Sequence, residues 1–127
     1  MTERTPIRSE SAPAPGGPYS QAIRSGAFLF LAGQGPFRSD GSKVEGPFED
    51  QARQTLNNLQ AVAAAAGASL ADAVRVGVYL RDMANFAAMN SIYAEFFRDP
   101  MPARTTIQSD LPGFEIEMDA VLAVGGR

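Results

Sequence analysis

Arg104 and the acidic residues Glu115, Glu117 and Asp119 offer this chain its most reactive side chains, and each lies in a segment of strand-like alternation. After Pro102, Ala103, Thr105 and Ile107 share one side while Arg104 and Thr106 share the other. In the final segment Ile116, Met118 and Ala120 oppose the acids. A guanidinium can hold a carboxylate ligand through two charge-assisted hydrogen bonds, and a carboxylate can orient a water and take its proton. An ion pair between two copies of the chain would use the same residues, and spacing alone leaves both readings open. Asn90 falls on the apolar stripe Phe86, Met89, Tyr93 and Phe97, where an amide needs a partner, either a neighbouring loop or a ligand. Tyr19, just after Gly17-Pro18, is equally open between a plain strand aromatic and a ligand contact.

Composition narrows the chemistry further. The 127 residues include no histidine and no cysteine, which removes imidazole and thiolate catalysis, disulfides and the usual zinc ligand sets. Lys43 is the sole lysine and sits in the turn-rich stretch Ser39-Asp40-Gly41-Ser42-Lys43, a poor place to bury an amine for Schiff-base work. Any catalysis therefore falls to carboxylates, arginines, tyrosines, hydroxyls and water. With 14 acidic and 11 basic side chains the formal charge is -3, so nothing draws the chain as a whole to a nucleic-acid backbone. Met1-Thr2-Glu3-Arg4 opens no apolar targeting segment, and no apolar run is long enough to span a bilayer. A single domain over residues 1–127, cytoplasmic and away from membranes, is expected.

The elements that must hold these residues are read from hydrophobic period. Ser9 to Gly17 is rich in Pro, Ala and Ser and reads as an irregular lead-in. Ala22-Ile23 and Ala27 to Ala32 read as strands around a Ser25-Gly26 turn, the second apolar at every position and so covered on both faces. Pro47, Glu49 and Asp50 open a helix that Gly67 closes, with Phe48, Ala52, Leu56, Leu59, Ala63 and Ala66 as its buried stripe. Ser69 to Asp72 reads as a capping box; Val74, Val76, Val78 and Leu80 then face a core, while Arg75, Gly77 and Tyr79 face away. Asp82 caps a second helix ending near Arg98-Asp99-Pro100, and strands over about Ala103 to Ser109 and Phe114 to Val124 complete the chain.

This order places two helices on one face of a mixed sheet, an α+β arrangement. The bare face would then expose Phe28 or Leu29, Tyr79, Val121 and Ala123, more apolar surface than a lone subunit tolerates, so a homo-oligomer is expected. Arg104 and the acids are expected on that bare face, since the polar set does not belong under the helices.

Gly17-Pro18-Tyr19-Ser20-Gln21-Ala22, Gly33-Gln34, Asn90 with Tyr93 and Phe96-Phe97, Pro102-Ala103-Arg104-Thr105-Thr106, and Glu117-Met118-Asp119-Ala120 resemble the RidA/YjgF family in order and spacing, from about Ile7 to Val124. The resemblance implies a chorismate-mutase-like mixed β-sheet, a homotrimer with sheets facing inward, and three sites in clefts between subunits. It also implies a last strand inserted between earlier ones. The implied activity is enamine/imine deamination, hydrolysing 2-aminoacrylate or 2-iminopropanoate to the 2-keto acid and ammonia with no metal and no cofactor. Arg104 falls on the family's carboxylate-binding arginine, Glu117 on its water-contacting glutamate, Tyr19 on its site tyrosine and Asn90 on its helix asparagine. Gly33 falls where the backbone comes close to the ligand.

Two departures stand out. Ala32 replaces the serine common in RidA proper, and the connection from Arg104 to Glu117 is shorter, with Leu111-Pro112-Gly113-Phe114 leading straight into the strand. Glu115 is thereby a competitor, but Glu117-Met118-Asp119-Ala120 matches the family pattern and Glu115-Ile116-Glu117-Met118 does not. Arg104 is expected to favour the ionised form of Glu117 while burial opposes it. The alternatives are a non-catalytic trimer binding a small carboxylate metabolite, and a subgroup deaminase acting on a ring-cleavage enamine such as aminomuconate. A ribonuclease reading, attached to some relatives, fits poorly with the net charge and the missing histidine.

Overall fold

The structure, a computed structural model, describes residues 3–127; Met1 and Thr2 of the N-terminal reading lie outside the described residues. Strands β1 (Thr5–Ile7), β2 (Ala22–Ser25) and β3 (Phe28–Gln34) precede helix α1 (Phe48–Ala65). Strand β4 (Ala73–Leu80), helix α2 (Phe86–Phe96), β5 (Ala103–Gln108) and β6 (Ile116–Ala123) follow. They form a single six-stranded sheet in the order β1-β2-β3-β6-β4-β5. The expected α+β arrangement is observed, including the last strand: β6 lies antiparallel between β3 and β4, and β5 runs parallel to β4 at the sheet edge.

The core lies between sheet and helices. Leu29, Leu31, Val76, Val78, Leu80, Ile116, Met118, Ala120 and Leu122 point from the sheet towards Ala52, Leu56, Leu59, Val62 and Ala63 of α1 and Met89, Ile92 and Tyr93 of α2. Alternation sends Phe28, Phe30, Tyr79, Val121 and Ala123 to the other face, where the register pairs Phe28 with Ala123 and Phe30 with Val121. Phe28 and Phe30 are 44% and 46% exposed in the single chain. The choice between Phe28 and Leu29 is thus settled in favour of Phe28.

Some expectations need correction. Val74 does not face the core but is 43% exposed, because the β4–β6 register shifts between Ala73 and Arg75 and turns that side chain out. Strand β1 escaped notice because Pro6 stands at its centre, a residue that strands tolerate only at an edge. Asp82 caps a short 3₁₀ turn, Met83–Asn85, by accepting from the Ala84 backbone N–H, and α2 begins only after it.

Local chemistry ends the elements where the sequence implies. The Ser69 side chain and Asp72 form the capping box, and Gly67 takes a left-handed φ of 73°. No heavy atom lies within 4 Å of a Cβ placed on Gly67, so only backbone strain opposes a side chain there. Gly67→Ala is therefore expected to destabilise the fold by about 1–2 kcal/mol in urea unfolding; an unchanged midpoint would show that α1 ends differently.

Candidate active site

Position on the sheet decides what each charged residue can meet. Register pairs Tyr79 with Glu117 and Gly77 with Asp119 on the bare face, whereas Val76, a core residue, pairs with Arg104 across the parallel β4–β5 ladder. Arg104 therefore lies on the helix side, contrary to the expectation that it would share a face with the acids. It is tolerated there because β5 is the edge strand and α2 only partly covers it. Its guanidinium carbon sits 4.8 Å from the Tyr93 ring centroid and 5.7 Å from that of Phe86, and Nη1 lies 3.9 Å from Met89 Sδ. Ring faces rather than an anion hold the charge; among the described residues Arg104 has no acidic partner.

Beside it opens a cleft of about 440 Å³ lined by Asn90, Tyr93, Ala94, Met101, Pro102 and Arg104. Asn90 is half-buried on α2. The Tyr93 hydroxyl is buried without a hydrogen-bond partner among the described residues, and burial pushes this phenol above its usual range while the Arg104 charge pulls it back.

Glu117 belongs to a different cleft, of about 300 Å³, reached from the bare face and shared with Tyr19, Gly33, Phe37 and Phe114. A Cβ on Gly33 would lie 2.6 Å from Glu117 Oε2 and 3.1 Å from its carboxyl carbon. The glycine is thus what lets the carboxylate lie flat on β3. Burial raises the Glu117 carboxyl above its ordinary value, and the negative charge of Asp119 adds to the shift. Arg104 of the same chain makes no contribution, which corrects the expectation that it would favour ionisation. Asp119 accepts from the Tyr79 hydroxyl at 2.9 Å and the Gly77 backbone N–H at 3.2 Å. Tyr79 is raised in turn, by that bond first and by burial second.

Glu115, the competitor, instead pairs with Arg81 at 3.3 Å on the surface. Tyr19 overhangs the Glu117 cleft, with its hydroxyl accepting from the Gly16 backbone N–H at 3.1 Å. Tyr19, Gly33 and Glu117 are thus brought together, as are Asn90 and Arg104, but the two groups occupy separate clefts of one chain.

Several residues around the Glu117 cleft were missed in the sequence. Gln21 is buried and braces the lead-in loop: its Oε1 accepts from the Ser9 N–H at 2.7 Å and its Nε2 donates to the Pro13 carbonyl at 2.8 Å. Gln51, Thr55 and Asn58 form a buried polar stripe on α1, a spacing of four and three that was readable. Asn58 Nδ2 donates to the carbonyls of Gly35 and Phe37 at 3.1 and 2.7 Å. Gln51 donates to the Val44 carbonyl at 3.1 Å and accepts from the Glu115 N–H at 3.0 Å.

The fold is thus a small α+β one that keeps an arginine cleft and a carboxylate cleft apart on one chain. The chain belongs to the RidA/YjgF family, whose model, described as Endoribonuclease L-PSP, matches residues 9–124. A RutC family protein of Pyrococcus horikoshii is 50% identical over 118 residues, covering 91% of this chain and 94% of the relative. A protein of Dermatophagoides farinae named 2-iminobutanoate/2-iminopropanoate deaminase is 36% identical over 127 residues, covering 98% and 99%. Schizosaccharomyces pombe has a relative named mmf2, mitochondrial, 42% identical over 125 residues and covering 94% and 98%. Among solved structures, RidA from the Antarctic bacterium Psychrobacter superposes with a TM-score of 0.89 at 34% identity, over 95% of this chain and all of that one (100%). The fold is the chorismate-mutase-like fold of these proteins.

Carboxyl NMR titration is expected to find Glu117 ionising above its ordinary range, and Asp119→Asn is expected to lower that midpoint, since it removes the charge that disfavours a second anion. A midpoint unmoved or raised in the variant would contradict the assigned cause.

Proposed function

We propose that the protein is an imine deaminase that hydrolyses 2-imino acids, in equilibrium with their 2-enamino forms, to 2-keto acids and ammonia, at sites completed between copies of the chain. The observation that carries this reading is Glu117, a half-buried carboxylate with a raised pKa and no cation partner among the described residues, beside an open cleft. The name of the mite relative supports it.

The apolar bare face and the two separated clefts favour a head-to-tail contact that sets the Arg104 edge of one chain against the Glu117 face of the next. Such a contact closes into a ring when its rotation divides the circle evenly, and the family resemblance makes that ring a homotrimer. Arg104 then binds the substrate carboxylate through its planar fork. Asn90 and Tyr19 close the pocket with neutral groups, and Gly33 leaves room for Glu117 beside the imine carbon.

Glu117 takes a proton from water as the oxygen attacks the protonated C=N carbon, and the C–N π electrons move to nitrogen to give a neutral carbinolamine. The carboxyl returns that proton to nitrogen; the hydroxyl oxygen's lone pair re-forms C=O and expels ammonia, which carries off the last hydroxyl proton as ammonium. A carboxyl with a raised pKa serves both directions of this transfer better than an ordinary one. The chemistry uses this chain's own residues and calls on no cofactor and no metal. The cytoplasm is the compartment proposed; among the described residues no helix is long and apolar enough to cross a membrane. The ribonuclease sense of the family description gains little here, given a net charge of -3 and no histidine.

Sedimentation is expected to give a species near three times 13.5 kDa. Arg104→Ala and Glu117→Gln are each expected to lower kcat/KM on 2-iminopropanoate by about 30- to 1,000-fold, or roughly 2–4 kcal/mol, with Glu115→Gln doing much less. Refolding the two crippled variants together is the sharper test, because random mixing restores about one quarter of intermolecular sites and no intramolecular ones. No recovery in mixed trimers would place the site within one chain. Tight binding of pyruvate without turnover of any imine would make the protein a carboxylate-binding trimer instead.

A further inference from the structure

The Glu117 cleft holds more than the proposed chemistry needs. Among the residues lining it Glu117 is the sole charge, so the cleft has nothing to attract a substrate's carboxylate and must receive another part of the molecule. Its far wall is aromatic: Phe37 and Phe114 meet edge to face with centroids 5.3 Å apart. That wall rests on a second glycine, since a Cβ on Gly35 would lie 2.9 Å from the Phe37 ring and 3.3 Å from the Phe114 ring.

Gly33 and Gly35 thus form a two-part floor, with the carboxylate lying on the first and the phenyl pair on the second. Two residues of extended chain span about 6.5 Å. The wall is also held firmly. Asn58 binds the carbonyls on both sides of Pro36, at Gly35 and Phe37. Lys43, in the loop paired to Phe37, donates to the Gly113 carbonyl at 2.7 Å and so ties the two phenyl-bearing segments together.

We infer that the Phe37–Phe114 wall is a specificity pocket for the substrate's side chain, selecting 2-imino acids with a branched or aromatic apolar side chain over the three-carbon compound. The inference rests on the deaminase reading for the position of the attacked carbon beside Glu117. Apolar contact begins at about 4 Å, and the carboxylate and the rings lie over glycines two residues apart, so a group on the attacked carbon must reach along the cleft to touch the rings. A methyl group on the attacked carbon extends least far towards the rings. The branch of an isobutyl group or the ring of a benzyl group reaches them, in a cleft whose volume of about 300 Å³ accommodates either.

Calorimetric binding of pyruvate, 4-methyl-2-oxopentanoate and phenylpyruvate to the wild-type protein tests the pocket without turnover, and the corresponding imines, generated in situ, test it with turnover. The branched acid is expected to bind at least about tenfold tighter than pyruvate, a ratio of the size one or two methylenes produce in an apolar pocket. Phe114→Ala is expected to cut that ratio by about tenfold, and Phe37→Leu, which keeps an apolar side chain against Gly35, to cut it less. Equal or tighter binding of pyruvate by the wild-type protein overturns the pocket whatever the variants do. Side-chain preference in binding with no imine turned over would sink the deaminase reading and leave the pocket standing. Turnover of all imines without preference would do the reverse.

Discussion

Because side chains alternate across a strand, the register in which β4 joins β5 on one side to β6 on the other governs where every reactive group in this protein ends up. Val76 opposite Arg104 sends the guanidinium to the helix side, and Tyr79 opposite Glu117 sends the carboxylate to the bare side. A slip of one residue that turned β6 over would bring Glu117 to the helix side, the face of Arg104, and bury its charge in the core. Register is well protected against that slip, since Ile116, Met118, Ala120 and Leu122 would leave the core together. The hydrophobic packing that stabilises the fold is therefore also what keeps the two clefts apart.

The bare face obeys a second constraint. Two acids and a phenol lie on it among phenylalanines, and each acid is given a place by a missing Cβ. Glu117 lies over Gly33, and Asp119 lies over Gly77, whose N–H it accepts. A carboxylate pressed on the sheet presents little bulk to whatever covers the face. Asp119 accepts from the Tyr79 hydroxyl and a backbone donor, and its charge acts on its neighbour at position 117. One acid is held by two donors, and the other is raised by burial first and by its neighbour's charge second.

Much of the fold was legible in the residues, and the reasons for the exceptions are local. The capping box at Ser69, the left-handed Gly67 and the stripe of α1 follow from short-range chemistry and are present as read. The place of β6 came from family resemblance rather than from pattern, because alternation tells which side a residue faces but not which strand lies beside it. Val74 escaped because a register shift leaves no mark in a run of valines. Arg104 was placed on the wrong face by a rule sound for central strands, that charge avoids the helix layer; at an edge strand, aromatic faces and an open cleft suffice. In the candidate site, residue types were readable but their division between two clefts was not. The polar stripe Gln51, Thr55 and Asn58 was there to be seen; its bracing of loops distant in sequence was not.

That division bears directly on the proposed chemistry. An arginine and a glutamate about 4 Å apart at a protein surface attract each other by about 4 kcal/mol at an effective dielectric of roughly 20. Such a pair would occupy the guanidinium fork and pull the carboxyl pKa down. Both effects oppose the proposed reaction, since the fork must be open to a substrate carboxylate and the carboxyl must both take and return a proton. Holding the two groups on opposite faces of one sheet leaves each without an ionic partner among the described residues: Arg104 rests on ring faces and the Met89 sulfur, and Glu117 rests on a glycine beside another anion. In the proposed site a neighbouring copy brings an arginine across, and the substrate itself comes between the charges. Its carboxylate satisfies the first and its protonated imine faces the second, so the electrostatic complement of the site is the substrate rather than the protein.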